Sequence, residues 1–158
     1  MVTWETLQTQ LLNQAELSIP YETTTPLNLY DSSKMTALAT QARIGLQLRI
    51  QPLLNQPLDS IAAVQAVLCE DDYPGWIDLK DLDKLQPAAT IYSPPTPSPP
   101  EIQAQIPNAI AFAQTAMTQP NTYLWGGTIG PNYDCSGLVQ HAFSTQGIWL
   151  PRDAYQQE

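Results

Sequence analysis

Asp134-Cys135-Ser136 stands where a glycine-rich stretch, Tyr123-Leu-Trp-Gly-Gly-Thr-Ile-Gly-Pro-Asn-Tyr, gives way to an amphipathic run. Asn132 and Asp134 can cap exposed amides there, and Leu138, Val139, Ala142 and Phe143 recur at helical spacing. Cys135 is therefore expected in the first turn of a helix. Unpaired amide N–H groups and the positive end of the helix dipole favour a thiolate at that place, and a thiolate is what nucleophilic thiol catalysis needs. Free cysteine is also among the most buried residue types. On the helix start alone, nucleophile and buried apolar residue stay equally open.

A thiol nucleophile needs a base, and histidine is the usual one. The sequence has a single histidine, His141. Six residues on from Cys135 along one helix, it would lie about 9 Å further along the axis and about 120° round it. His141 is thus expected to be a packing or surface residue, not the partner of the thiol.

Tyr-x-Trp-Gly-Gly, then Asp-Cys-Ser-Gly-Leu-Val, then Leu-Pro-Arg-Asp-Ala-x-x-Gln resembles the N-terminal half of the NlpC/P60 family, papain-like cysteine peptidases that cut bacterial cell-wall peptides. The likeness covers roughly residues 101–158. It implies a γ-D-glutamyl-L-diamino acid endopeptidase acting on the murein peptide L-Ala-γ-D-Glu-diaminopimelate, specific for a free N-terminal L-Ala and serving peptidoglycan recycling. Cys135 would be the nucleophile, with no metal and no cofactor. The family's histidine comes from strands beyond the Leu-Pro-Arg-Asp block, and the sequence ends at Glu158. The 158 residues alone are therefore expected to be inactive, an incomplete N-terminal half of the domain. Loss of the family's sheet would expose Leu138, Val139 and Ala142. At about 25 cal/mol per Å2 of apolar surface this threatens folding, so a partner chain or the missing C-terminal segment is expected to cover that face.

By the same resemblance Tyr123 lies near the thiol and orients substrate or stabilises the oxyanion. Asp134 and Ser136 line a pocket for the D-glutamyl carboxylate, although a helix cap is sufficient explanation of Asp134. Arg152 would pair with a peptide carboxylate through its two-pronged guanidinium, and Asp153 with a free amine. Ala154 stands where many relatives have serine. Trp125 beside Gly126-Gly127 leaves backbone room that a peptide can use, and is expected to wall the site.

The elements that must position these groups are coarsely readable. A helix is expected from Glu101 to Thr118, started by Pro99-Pro100, with Pro107 kinking or interrupting it and Pro120 stopping it. Its apolar stripe should pack on the Cys135 helix. Ser93-Pro-Pro-Thr-Pro-Ser-Pro-Pro reads as a semi-rigid polyproline linker over 91–100. Before it, apolar runs at Leu27, Ala37, Leu46, Ala62 and Trp76, separated by turn residues, predict about five strands in a small antiparallel sheet or barrel. Residues 2–17 carry a weak helical pattern or form an irregular arm.

Leu27-Asn-Leu-Tyr-Asp-Ser and Asp72-Tyr-Pro-Gly-Trp-Ile resemble blocks of bacterial SH3-like (SH3b) domains that precede NlpC/P60 domains in cyanobacterial members. That resemblance implies an α+β protein: a small SH3-like β-barrel with an N-terminal arm over 1–90, then the N-terminal part of a papain-like domain over 101–158. It also implies that Tyr73 reaches over the thiol site and closes the first subsite.

The charge of −9, with only six Lys plus Arg, argues against nucleic acid and against anionic membrane surfaces as partners. No apolar run is long enough to span a bilayer. The first residues lack a basic n-region and an apolar h-region, so a cytoplasmic protein is expected. Cys69 and Cys135 read as thiols of a reducing compartment, with a disulfide between them left open. The rival function is a non-catalytic cell-wall peptide-binding protein whose thiol is vestigial.

Overall fold

In the computed structural model residues 2–12, 20–52 and 61–158 are described, and they divide into two units, Met1–Tyr92 and Ser93–Glu158. The first begins with helix α1 (Trp4–Leu12), whose Leu7 is wholly buried in that unit's core. The helical reading of the N-terminal arm is thus the one observed as far as Leu12; residues 13–17 of that arm lie outside the described ones.

Seven strands follow: β1 (Tyr21–Thr23), β2 (Leu27–Tyr30), β3 (Leu38–Ala42), β4 (Gln47–Ile50), β5 (Ala63–Leu68), β6 (Pro74–Asp78) and β7 (Leu85–Pro87). A 3-10 turn, Leu79–Lys84, capped by the Asp78 side chain on Lys80 N, links β6 to β7. The strand order is β3-β2-β6-β5-β4-β1-β7, every recorded pair antiparallel. This is a mixed helix-and-sheet fold: of the sheet or barrel expected, the antiparallel sheet is observed, with β3 and β7 at its two ends and no closed ring of pairing among the described residues.

Alternation explains the inner face. In β2, Leu27 and Leu29 point inward while Asn28 sits half-buried, its Oδ1 accepting from Gln41 Nε2 of β3 at 3.0 Å. Leu48, Ile50, Val64, Ala66, Ile77 and Leu85 complete the same core. Each large side chain so buried contributes about 1.5–3 kcal/mol. One turn depends on glycine: between β3 and β4, Gly45 adopts φ +83° and donates its N–H to Thr23 O.

Beside this sheet Glu70 is mostly buried. Burial pushes its carboxyl above the usual glutamate range, the Arg43 guanidinium 3.4 Å away pulls it partly back, and Asp71 raises it again. A raised carboxyl gives stability that is fully present below the ordinary glutamate range and lost as pH rises through the folded value. Glu70→Gln should therefore raise the thermal midpoint at pH 7 and match the parent near pH 3. A parent more stable than the variant at pH 7 would contradict this.

The second unit opens with α2 (Pro99–Met117), with prolines in its first turn and a capping box between Ser98 and Glu101. The helix continues through Pro107 without interruption. Proline removes one backbone donor, and Ile102, Gln105, Ile106, Ala109, Phe112, Ala113 and Ala116 still share a covered or half-covered stripe on both sides of it. Ile110 and Met117 are exposed. A two-strand hairpin, β8 (Thr128–Ile129) and β9 (Asn132–Tyr133), leads into α3 (Cys135–Ser144). On α3, Ala142 is buried and Leu138 half-buried, so of the three residues expected to lie bare only Val139 is exposed. No helix among the described residues is long and apolar enough to cross a membrane.

Candidate active site

Cys135 is the first residue of α3, and it is exposed. Asp134 precedes it in extended conformation and caps the helix, its Oδ1 accepting from Gly137 N at 2.7 Å. The other oxygen accepts from Gly126 N at 2.9 Å. One buried carboxylate therefore ties the glycine loop to the first turn of the thiol's helix. Asn132, the other cap candidate, accepts instead from Thr122 N at 2.8 Å.

The two glycines of the loop do separate things. Gly126 has φ +78°, where an L side chain is strained. Gly127 is held by close approach: a Cβ there would stand 2.7 Å from Asn132 O and 2.9 Å from Leu124 O. Gly127 O accepts from Asp134 N at 3.0 Å and would meet a Cβ on Gly137 at 2.1 Å. Loop and helix are thus packed backbone against backbone.

Arg152 completes the arrangement. Its Nη2 lies 2.6 Å from Asp134 Oδ2, and its Nη1 donates to Asp134 Oδ1 at 3.2 Å and to Ser136 Oγ at 2.9 Å. Arg152 is 3% exposed, Ser136 7% and Asp134 8%, so these three residues share one buried network. A two-pronged geometry of this kind offsets the desolvation of both charges. The Leu150-Pro151-Arg152 segment is pinned to α3 by two glutamines: Gln140 Nε2 donates to Leu150 O, and Gln157 Nε2 donates to Pro151 O and Ser136 O. The guanidinium expected to meet a peptide carboxylate is therefore bound to Asp134 inside the unit, and Ser136 lies beneath the thiol's helix turn. Asp153, half-exposed, heads the short 3-10 turn Ala154–Gln156.

Beside the thiol is a cleft of about 290 Å3. Tyr123, Asp134, Cys135, Tyr133, Leu138 and Pro131 line it, with Asn121, Thr122, Ala116 and Met117. Tyr123 is largely exposed, and its phenol is held above the usual tyrosine range by desolvation, by negative charge at Cys135 and Asp134, and by a hydrogen bond with the Cys135 side chain. Trp125 is 73% exposed and outside the lining of that cleft. Tyr73 belongs to the first unit, where it packs against the core and its N–H donates to Asp71 Oδ1.

Sequence reasoning missed the end of α2. Ala116 and Met117 line the cleft, although no chemistry is expected of that helix. Tyr133 was missed as well. Its ring lines this cleft and a second one of about 330 Å3, where its hydroxyl lies 3.0 Å from His141 Nδ1. Phe112 packs on the same imidazole at 5.0 Å between ring centroids. His141 is therefore a packing residue bound to Tyr133. Among the described residues no group of three His, Cys, Asp or Glu could hold a metal. Cys69 and Cys135 are both free thiols.

Residues 120–158 match the model of the NlpC/P60 family. Probable endopeptidases of Mycobacterium tuberculosis and Mycobacterium bovis are 47% identical to this chain over 45 residues, 28% of this chain and 12% of each relative. The matched stretch thus spans only a small part of those relatives. Among solved structures, NlpC1 from Trichomonas vaginalis aligns with TM-score 0.30 and 23% identity, over 88% of this chain and 43% of that one. An NlpC/P60 family protein from Bacillus cereus aligns with TM-score 0.31 and 19% identity, over 94% and 43%.

Proposed function

We propose that the protein is a cysteine peptidase of cell-wall peptides, acting on the γ-D-glutamyl bond of L-Ala-γ-D-Glu-diaminopimelate during peptidoglycan recycling. The observation that carries this reading is an exposed thiol at the start of a helix, next to a tyrosine hydroxyl and at the edge of a cleft. The family match over residues 120–158 supports it.

Cys135 Sγ attacks the γ-glutamyl carbonyl. The C–N bond breaks, the departing diamino acid amine takes the proton given up by the thiol, and water hydrolyses the thioester to free the γ-carboxyl and restore the thiol. Tyr123 stands where its hydroxyl can donate to the developing oxyanion. The sequence's one imidazole is bound to Tyr133 and is not the base of this reaction. The rival reading, a protein that binds the wall peptide without cleaving it, differs in the reactivity expected of the thiol.

An L-Ala-γ-D-Glu chloromethyl ketone, with its electrophilic carbon beside the position of the scissile carbonyl, tests the first reading. It should alkylate Cys135 at least tenfold faster than Cys69, whose thiol is pushed up chiefly by burial, with Asp72 adding to the rise and Arg49 opposing it. It should also outpace the L-Ala-L-Glu analogue. Equal and slow labelling of both cysteines, with the peptide still bound, would leave the binding protein.

A further inference from the structure

The helix-start argument for a reactive Cys135 is incomplete, because a carboxylate already occupies that helix end. Asp134 takes the Gly137 amide and stands one residue from the sulfur. A capping anion collects the positive end of the dipole, and a second anion beside it is opposed by like charge. Left alone, Asp134 would work against the thiolate.

Arg152 answers that charge. It is the only Lys or Arg after residue 92, it is almost wholly buried, and it bonds both oxygens of Asp134. We propose that Arg152 is a positioning residue acting through Asp134: its guanidinium cancels the carboxylate next to Cys135, so that the thiolate forms at a helix start with no bare negative neighbour. The helix amides then favour the sulfur anion, while the cap still ties Gly126 to the first turn. Arg152 is by this account a device for the nucleophile and takes no substrate carboxylate.

This rests on Cys135 being the nucleophile, and the experiment separates the two. In the full chain carrying Cys69→Ser, the rate of Cys135 alkylation by iodoacetamide at pH 7 is measured, with near-UV circular dichroism recording the fold. R152Q should slow the reaction about tenfold, as expected for one uncompensated charge nearby. R152K, which keeps the cation and loses the fork, should recover most of that rate. D134N keeps a good cap residue and leaves Arg152 unopposed, so alkylation should quicken.

Where R152Q or D134N does not fold, R152K, which keeps the cation beside Asp134, carries the test: its rate should stay close to the parent's. A rate unchanged in R152Q, a loss in R152K as deep as in R152Q, or a slower D134N would overturn the proposal. Failure of the nucleophile reading shows elsewhere: in the parent chain Cys135 would react no faster than Cys69, before any change at Arg152 is made.

Discussion

Gly137→Ala should collapse the junction between loop and helix in the second unit. In an isolated helix the change is favourable by about 1 kcal/mol, since glycine is the weaker helix former. Here the added Cβ would lie 2.1 Å from Gly127 O and 2.9 Å from Asp134 Oδ1. Neither atom can withdraw cheaply: the carbonyl accepts from Asp134 N, and the carboxylate is fixed by Arg152. Overpacking costs about 1–3 kcal/mol and more where backbone must move, so the clash outweighs the propensity gain. Hydrogen exchange over residues 126–144 should accelerate at least tenfold. Exchange as slow as in the parent would show that loop and helix are not packed as described.

Breaking the ion pair from one side should cost more. Arg152→Met removes the guanidinium and leaves Asp134 charged in a place 8% exposed, which typically destabilises by about 3–5 kcal/mol. Asp134→Asn together with Arg152→Met removes both charges, and buried pairs replaced in that way are often near neutral. The double variant should therefore be more stable than the single one by about 2 kcal/mol or more, a coupling that adjacent residues can show. Pulse proteolysis across a urea series reads the difference. Equal stability of single and double variants would mean that the pair is not buried.

The parts of this unit readable in the sequence are those with local causes. Cys135 starts α3 because Asp134 is a cap and an apolar period follows. Pro99-Pro100 with Glu101 mark the start of α2 for the same kind of reason. Partners distant along the chain have no such mark: Arg152 meets Asp134 eighteen residues away, and a guanidinium looks the same whether it will bind a substrate or a neighbour. Tyr123, Asp134 and Cys135 line one cleft, while Ser136 and Arg152 are buried and Trp125 stands at the surface.

In the first unit the alternation of Leu27-Asn-Leu-Tyr and Ala63-Val-Gln-Ala-Val-Leu gave the strands away. Three-residue strands such as Tyr21–Thr23 and Leu85–Pro87 are too short to show a period; they are held by pairing with each other, and the first also by pairing with β4. With them the sheet has seven strands among the described residues. Pro107 does not interrupt α2. A missing amide is tolerated in a nineteen-residue helix whose Ala109 is buried and whose covered stripe continues past the proline.

The pinning of Leu150-Pro151-Arg152 by Gln140 and Gln157 has a consequence for how the protein is made. A ribosome delivers the sulfur and its acidic neighbour first and the guanidinium eighteen residues later, with the last glutamine clasp later still. Asp134 therefore draws its counter-charge from a residue made after it, and the buried pair can close only once Arg152 has been added to the chain.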